Sequence, residues 1–360
     1  MSGLTARSVD GLSVPDALRV LHLRAVPIVT TVTPARINVG LLAIAAGGAA
    51  ATGLIGWFGA RAIGHEVLDA AWAIPGAIAL HALQLLLSAL AWRLAAGVPR
   101  VGTGAFFFIR WIREAVNSLL PVAQLGGNLV GIRLLMHRGV SGAIAGAATT
   151  LDITMEALTQ FVFTILGIAA LATLDAERSW GGWLQGVVIA MAVGVVGFII
   201  AQRAGVMRIV ESLARRLHTV FPSLSVDTVR GLHEELMRLQ RDRGALLRAG
   251  LLHLSAWLVG VCETWLILRT MGLSIGIAEA TVIESLGMAA RSAGFVVPGA
   301  LGVQEAGFIL VCEIFGIGPD AAIALSMVKR VRELSVGLPG LVAWQWAEGR
   351  RLLRRSARPG

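Results

Sequence analysis

The sequence predicts an all-α polytopic membrane protein, and three features carry that prediction: hydropathy, charge content and the places where the charges fall. Of 360 residues, 56% are apolar and 15% charged, with a mean hydropathy of +0.75. Soluble domains run at roughly 45–50% apolar and 25% charged. That balance excludes a soluble enzyme, a disordered chain and a collagenous repeat. A disulfide framework is excluded too, because Cys262 and Cys312 both lie inside apolar runs. The net charge of +9 is distributed in blocks. Arg7, Arg19, Arg24 and Arg36 precede the first apolar run, nine arginines lie between Arg203 and Arg248, and five close the chain from Arg350 to Arg358. Residues 59–70 and 175–182 carry one arginine each, and 317–320 none. The positive-inside rule therefore places the blocks and both termini in the cytoplasm of a bacterial inner membrane. The charge is read as orientation and as attraction to anionic inner-leaflet lipid, not as nucleic-acid binding.

In chain order, residues 1–37 hold Pro15, Pro27 and Pro34 among scattered charges and lack the apolar core of a secretory signal, so they read as a cytoplasmic leader. Residues 38–347 form the transmembrane domain, with a basic amphipathic cytoplasmic loop over 203–247, and residues 348–360 form a basic tail. A hydrocarbon core of roughly 30 Å needs about 20 apolar residues per helix. The stretches 38–58, 71–97, 143–173, 183–201, 248–268 and 321–346 meet that length, giving six expected crossings. Trp57, Trp72, Trp92, Trp180, Trp183, Trp257, Trp265, Trp344 and Trp346 fall near the expected span ends, where an indole favours the interface.

Two further stretches are apolar yet broken. FFFIRWIREAVNSLLPVAQLGGNLVGIRLLMHRG (106–139) and EATVIESLGMAARSAGFVVPGALGVQEAGFILV (279–311) each read as a helix, a proline, a glycine-containing turn and a shorter helix. Pro121 with Gly126 and Gly127, and Pro298 with Gly299 and Gly302, break the two stretches. Proline removes a donor and glycine permits reversal, and such backbone is tolerated at membrane depth only where it lines protein or water. Both stretches are expected to be re-entrant hairpins. Superposing Pro121 on Pro298 without gaps places Asn128 on Glu305. From a cytoplasmic N-terminus the first hairpin opens inward and the second outward, an inverted repeat.

Ionisable groups inside spans cost about 2.5–3.5 kcal/mol each on insertion scales, so they face the bundle interior and pair. Arg110 and Glu114 share one helix face, as do Asp152 with Glu156 and Glu284 with Arg291. Together with Arg113, Asn128, Arg133 and Glu305 they are the expected translocation residues. Arg133, Lys329, Arg330 and Arg332 also read either as interior ties or as snorkelling residues. Arg291 and Glu305 stand seven residues before and seven after Pro298, so a bend there would pair them. A cavity of alternating acids and arginines beside small residues suits a polar or anionic lipid headgroup whose tail stays in the bilayer.

The strings NSLLPVAQLGGNLVGIRLL and VVPGALGVQEAGFILV resemble the two signatures of the lysylphosphatidylglycerol synthase transmembrane-region family. Pro121, Gly126, Gly127 and Arg133 match the first signature, and Pro298, Gly299, Gly302 and Glu305 the second. RWIREAVNSLLPVAQLGGN and LDITMEALTQ are most similar to the hopanoid-biosynthesis-associated members. The resemblance covers roughly residues 38–346 and implies flippase-like movement of a phospholipid or hopanoid. Asn128 departs from the acidic residue often found after the glycine pair. Aminoacylating relatives carry a large cytoplasmic transferase domain where this chain has RRLLRRSARPG, so lysyl transfer is not implied.

Catalytic motifs do not survive inspection. GLSIG (272–276) lies between helices with no preceding strand, His233 and Glu234 lack a second histidine, and no phosphate-binding loop is present, so no cofactor or metal is expected. GAIAG (142–146) fits a small-residue packing face. His22, His81, His218 and His253 read as ordinary helix or surface residues. The leading expectation is a lipid translocase, more transporter than enzyme. The alternatives are a membrane-embedded transferase using Glu66 and Asp69, and a scaffold for lipid-biosynthetic enzymes. Expected outer loops of about 4 to 12 residues favour transport over catalysis.

Overall fold

The computed structural model describes residues 68–120, 126–174, 226–294 and 300–356, together with His65. The chain divides into residues 1–39 and 40–360, and every described residue lies in the second unit. The expected leader and the expected crossings at 38–58 and 183–201 lie outside the described residues.

A 3-10 turn (Ala70–Trp72) leads into α1 (Ala73–Ala96). It is followed by α2 (Thr103–Leu119), α3 (Gly126–Met136), α4 (Gly142–Leu174), α5 (Val226–Leu239), α6 (Arg243–Thr270), α7 (Ile277–Ala293), α8 (Val303–Glu313) and α9 (Pro319–Ser356). The described residues contain no strand. Among the described residues three helical segments, Ala70–Ala96, Gly142–Leu174 and Arg243–Thr270, are long and apolar enough to cross a membrane. They coincide with the expected crossings at 71–97, 143–173 and 248–268. The stretch 321–346 is helical within α9, but Lys329, Arg330, Arg332 and Glu333 interrupt its apolar character.

These helices have a consistent sense. Gly76 of α1 packs on Leu266 of α6, and Gly260 of α6 lies by Gln84 of α1, so the two run antiparallel. Gly250 of α6 meets Met155 of α4 while Trp257 stacks on Phe163, so α4 and α6 run the same way. One end of the bundle is basic, with Arg100, Arg133, Arg138, Arg238, Arg241, Arg243 and Arg248 exposed there beside Glu234 and Asp242. The other end carries Asp69, Glu279, Glu313 and Asp320 with Arg269. The amphipathic α5 anchors the basic end. Its Leu236 and Leu239 are buried in one apolar cluster with Trp92, Leu135 and Val140.

The broken stretches are antiparallel helix pairs. Gly127 of α3 lies against Arg113 and Asn117 of α2, and Gly131 against Arg113 and Ile109. In the second pair Gly294 meets Val303, and Gly307 meets Ala290. Each pair has a 17-residue arm and an 11-residue arm. At 1.5 Å per residue the short arms are about 16 Å long, half a hydrocarbon core. The gap-free register that sets Pro121 on Pro298 carries α3 onto α8 end for end. The first pair has both outer ends at the basic end of the bundle and the second has both at the opposite end. Residues 121–125 and 295–299, which include Pro121, Pro298 and Gly299, lie outside the described residues.

Helix α9 meets the inner ends of both pairs. Its Glu333 reaches Arg291 of α7, and its Gly337 packs on Leu119 of α2. Pro339 sits inside α9 and denies Ser335 its helical donor. Trp111 Nε1 donates to the next carbonyl, Val336, at 2.8 Å.

Tryptophan placement differs from the interfacial expectation at two positions. Trp92 is fully buried, edge-on to Phe106 with Arg113 over its face at 5.1 Å, and Trp257 lies at mid-helix against Phe163. Each indole fills interior volume beside charge, which outweighs its interfacial preference.

Gly127 carries a packing prediction. A Cβ there would overlap the Arg113 carbonyl and the Asn117 side chain, whereas nothing lies within 4 Å of one at Gly104. Gly127→Ala is expected to cost about 1–3 kcal/mol. Gly104→Ala, an open helix position, should be neutral or stabilise by up to about 1 kcal/mol. Thermal unfolding in detergent micelles checks both, and equal midpoints for the two variants would remove the close-approach argument.

Candidate functional site

The buried charges converge at half-height. A cavity of about 120 Å³ is lined by His81, Gln84, Leu85 and Ser88 of α1, Arg110 and Glu114 of α2, and Glu156 of α4. His253, Ala256 and Trp257 of α6, Glu284, Met288 and Arg291 of α7, Gln304 of α8, and Lys329, Arg332 and Glu333 of α9 complete it. The residues contributed by the three apolar segments lie near the middles of Ala70–Ala96, Gly142–Leu174 and Arg243–Thr270. At a liquid share of ~30 Å³ per water, the space fits about four waters or one phosphate-sized group.

One wall is built by α2, α4 and α6. Arg110 bridges Asp152 (3.2 Å) and Glu156 (2.7 Å), Arg113 bonds Asp152 and lies 3.7 Å from Glu156, and His253 Nε2 meets Asp152 Oδ1 at 3.0 Å. Asp152 is fully buried and stands behind the wall, where it holds three side chains in place. The spacings Arg110/Arg113 and Asp152/Glu156 put both pairs on facing helix stripes, which is why they interlock. Glu114 is the least constrained member. Its side chain is 37% exposed and its ion pair with Arg110 is 4.0 Å long.

The opposite wall is built by α7, α8 and α9. Lys329 Nζ donates to Glu284 (2.9 Å), which also accepts from Thr264 (2.5 Å). Arg332 Nη1 donates to both oxygens of Glu263 (2.9 and 2.7 Å). Arg291 pairs with Glu333 at 2.9 Å and donates to Gln304. Lys329 and Arg332 are therefore interior ties; both are buried, which removes the snorkelling reading for them.

The structure brings Arg110, Glu114, Glu156, Glu284 and Arg291 to the cavity surface, with Arg113 and Asp152 immediately behind it. Asn128 and Arg133 of α3 are not among the lining residues, and Arg133 is exposed toward the basic end. The expected Arg291–Glu305 pair does not form. Glu305 is fully buried one turn into α8, where it accepts from the Gly302 amide (2.7 Å), Ser326 (2.9 Å) and Arg330 (2.7 Å). Its carboxylate caps the start of α8 at the amide of Gly302, whose φ of 79° suits glycine, and this local geometry outcompetes a reach across the pair of arms. Asp69 stands exposed at the acidic end, away from the cavity, and Glu66 lies outside the described residues.

The sequence reading passed over His81 and His253, both of which line the cavity. A signal was present: each is an ionisable residue in the middle of an apolar segment, and His81 with Gln84 shares a face at i,i+3, where their side chains bond at 3.0 Å. GAIAG behaves as packing, with Gly146 against Leu232 of α5.

A bundle of apolar helices around a paired, charge-lined cavity, with two helix pairs that each have one half-length arm entering from opposite ends, defines a polytopic helical membrane protein. The chain belongs to the Lysylphosphatidylglycerol synthase TM region family, whose model matches residues 40–340. It is similar to a UPF0104 membrane protein of Methanothermobacter thermautotrophicus, 26% identical over 291 residues that cover 73% of this chain and 80% of that relative. No solved structure matches the chain.

Removing one partner of a buried pair leaves a charge uncompensated. Asp152→Asn is expected to destabilise the protein by about 3–5 kcal/mol. Glu305→Gln should also lower the unfolding temperature, since Arg330 and the α8 cap both depend on it. Glu114→Gln, at a loose and partly exposed pair, should cost less than about 1 kcal/mol. Detergent-solubilised unfolding midpoints test the order, and an Asp152→Asn protein as stable as Glu114→Gln would refute the support role given to Asp152.

Proposed function

We propose that this protein is a lipid translocase that moves a polar or anionic headgroup between the leaflets of a bacterial inner membrane, with the acyl or polycyclic tail left in lipid. The observation that carries the reading is the charged cavity halfway along three apolar helices, since charge at that depth is costly unless it serves a pathway or a substrate. The guanidinium groups of Arg110, Arg291 and Arg332 supply forks suited to a phosphate, and exchange of a carboxylate partner for a headgroup oxygen is the elementary step. Phospholipids and hopanoid-type lipids are the substrate class, and lipid-biosynthetic enzymes are the natural suppliers of cargo.

In this reading the basic end faces the cytoplasm with both termini, and anionic inner-leaflet lipid surrounds it. The two helix pairs are re-entrant hairpins related as an inverted repeat, and six full crossings within residues 38–347 surround them. Their opposite entry would let one hairpin gate each side of a shared cavity. The paired arms, the short arm lengths and the register of α3 on α8 support this arrangement.

Leaflet-resolved assays on proteoliposomes containing only this protein test the activity. Fluorescent phosphatidylglycerol should become accessible to an external quencher faster than in protein-free vesicles, and Arg291→Gln should lower the rate by about tenfold or more, the equivalent of roughly 1.4 kcal/mol. Rates equal to those of protein-free vesicles would sink the reading. For orientation, in a background lacking Cys262 and Cys312, Arg241→Cys should label from the cytoplasmic side and Ser274→Cys from the opposite side. Cysteines placed at 123 and 300 should label from opposite sides, and labelling of both from one side would eliminate the inverted hairpins.

A further inference from the structure

One group in the cavity wall has no task in headgroup binding. His253 is buried at the middle of α6, lines the cavity, and is bonded through Nε2 to Asp152 Oδ1 at 3.0 Å. Against an ionised carboxylate that nitrogen carries hydrogen and donates, so Nδ1 is the position left to accept a second proton. His81, the other histidine of the wall, meets the amide of Gln84 and has no carboxylate in its hydrogen bond.

The charge inventory bears on the same group. Among the described residues that line the cavity or stand beside it, the cations are Arg110, Arg113, Arg291, Lys329, Arg332 and the half-buried Arg330. The carboxylates are Glu114, Asp152, Glu156, Glu263, Glu284, Glu305 and Glu333. Acids therefore stand on both sides of the cavity that His253 lines, Glu114 and Glu156 on one and Glu284 and Glu333 on the other.

Position gives a second proton on His253 a mechanical consequence. Around His253 stand Arg110 and Arg113 from α2, Asp152 and Glu156 from α4, and His81 from α1, while Glu284 and Arg291 of α7 and Lys329, Arg332 and Glu333 of α9 face it across the cavity. Asp152 Oδ1 serves His253, and Oδ2 serves both Arg110 and Arg113. An imidazolium would compensate Asp152 from the α6 side and loosen its hold on Arg110. Arg110 already has a buried Nε without a partner, as does Arg332 on the facing wall, so both guanidinium groups hold donor capacity that no protein acceptor uses. A headgroup phosphate entering the cavity would take it up.

The geometry points to a proton as the coupling ion of transport: His253 Nδ1 accepts a proton as the headgroup enters from one side and returns it to water as the headgroup leaves on the other, with Asp152 ionised throughout. This deepens the translocase reading and rests on it.

The test uses the full-length protein in vesicles of phosphatidylethanolamine and phosphatidylglycerol with a trace of fluorescent phosphatidylglycerol. An imposed gradient of one pH unit can bias the leaflet ratio of the tracer by up to about tenfold for one coupled proton. The expected result is a steady-state ratio displaced from unity, collapsed by a protonophore, with a pH-sensitive dye recording proton movement alongside the lipid. In His253→Gln the ratio should return to unity whatever its absolute rate. Tracer exchange that ignores the gradient in the wild-type protein overturns the coupling, a displaced ratio that survives in His253→Gln overturns its assignment to His253, and both leave the translocase standing. If no tracer moves under any condition, translocase and coupling fall together. Should His253→Gln fail to fold, His253→Asn, which can still donate to Asp152 but takes up no proton, replaces it, and a displaced ratio in that variant overturns the assignment.

Discussion

The buried carboxylate of Asp152 is the interaction on which this structure depends. It sits in an apolar bundle, fully removed from solvent, and holds Arg110, Arg113 and His253 at once. Burying a lone charge is prohibitive, whereas a paired and hydrogen-bonded one is tolerated, so α2, α4 and α6 must meet where they do. This constraint fixes the first helix pair against two of the three long apolar helices. The same logic repeats on the other wall, where Glu263 and Glu284 take Arg332 and Lys329 from α9.

Paired charge is not inert charge. In the proposed translocase each cation of the cavity already has a carboxylate beside it, while Arg110 and Arg332 keep an unpartnered Nε, so an entering headgroup would exchange a partner as well as fill an open donor position. That exchange keeps the binding step close to balanced, which suits a carrier better than a tight receptor, because a headgroup held too firmly could not leave. The small volume of about 120 Å³ agrees with the proposed binding of a headgroup alone.

Helix α9 ties the two halves together. It meets the inner end of one helix pair through Arg291–Glu333 and of the other through Gly337 on Leu119. Pro339 weakens its hydrogen-bond ladder two residues beyond that second contact.

Composition and charge blocks alone determined that the chain is an all-helical membrane protein, because the bilayer demands long apolar runs that are unmistakable in a sequence. The breaks at Gly126, Gly127 and Gly302 were legible for a similar reason: backbone that reverses inside an apolar run needs proline and glycine. The i,i+4 spacing of Asp152 with Glu156 showed which charges share a helix face, and the structure sets them against Arg110 and Arg113. Partner choice was not legible. Glu305 turns to its own helix cap and to Arg330, away from Arg291, because a local hydrogen bond to the Gly302 amide is available before any long-range contact. His253 looked like an isolated residue, and Trp92 and Trp257 looked interfacial, since spacing along one helix says nothing about what stands on the next. Only the tertiary structure could put a histidine of α6 against an aspartate of α4, for that pairing depends on how three helices cross at one depth, a property of packing and not of any segment.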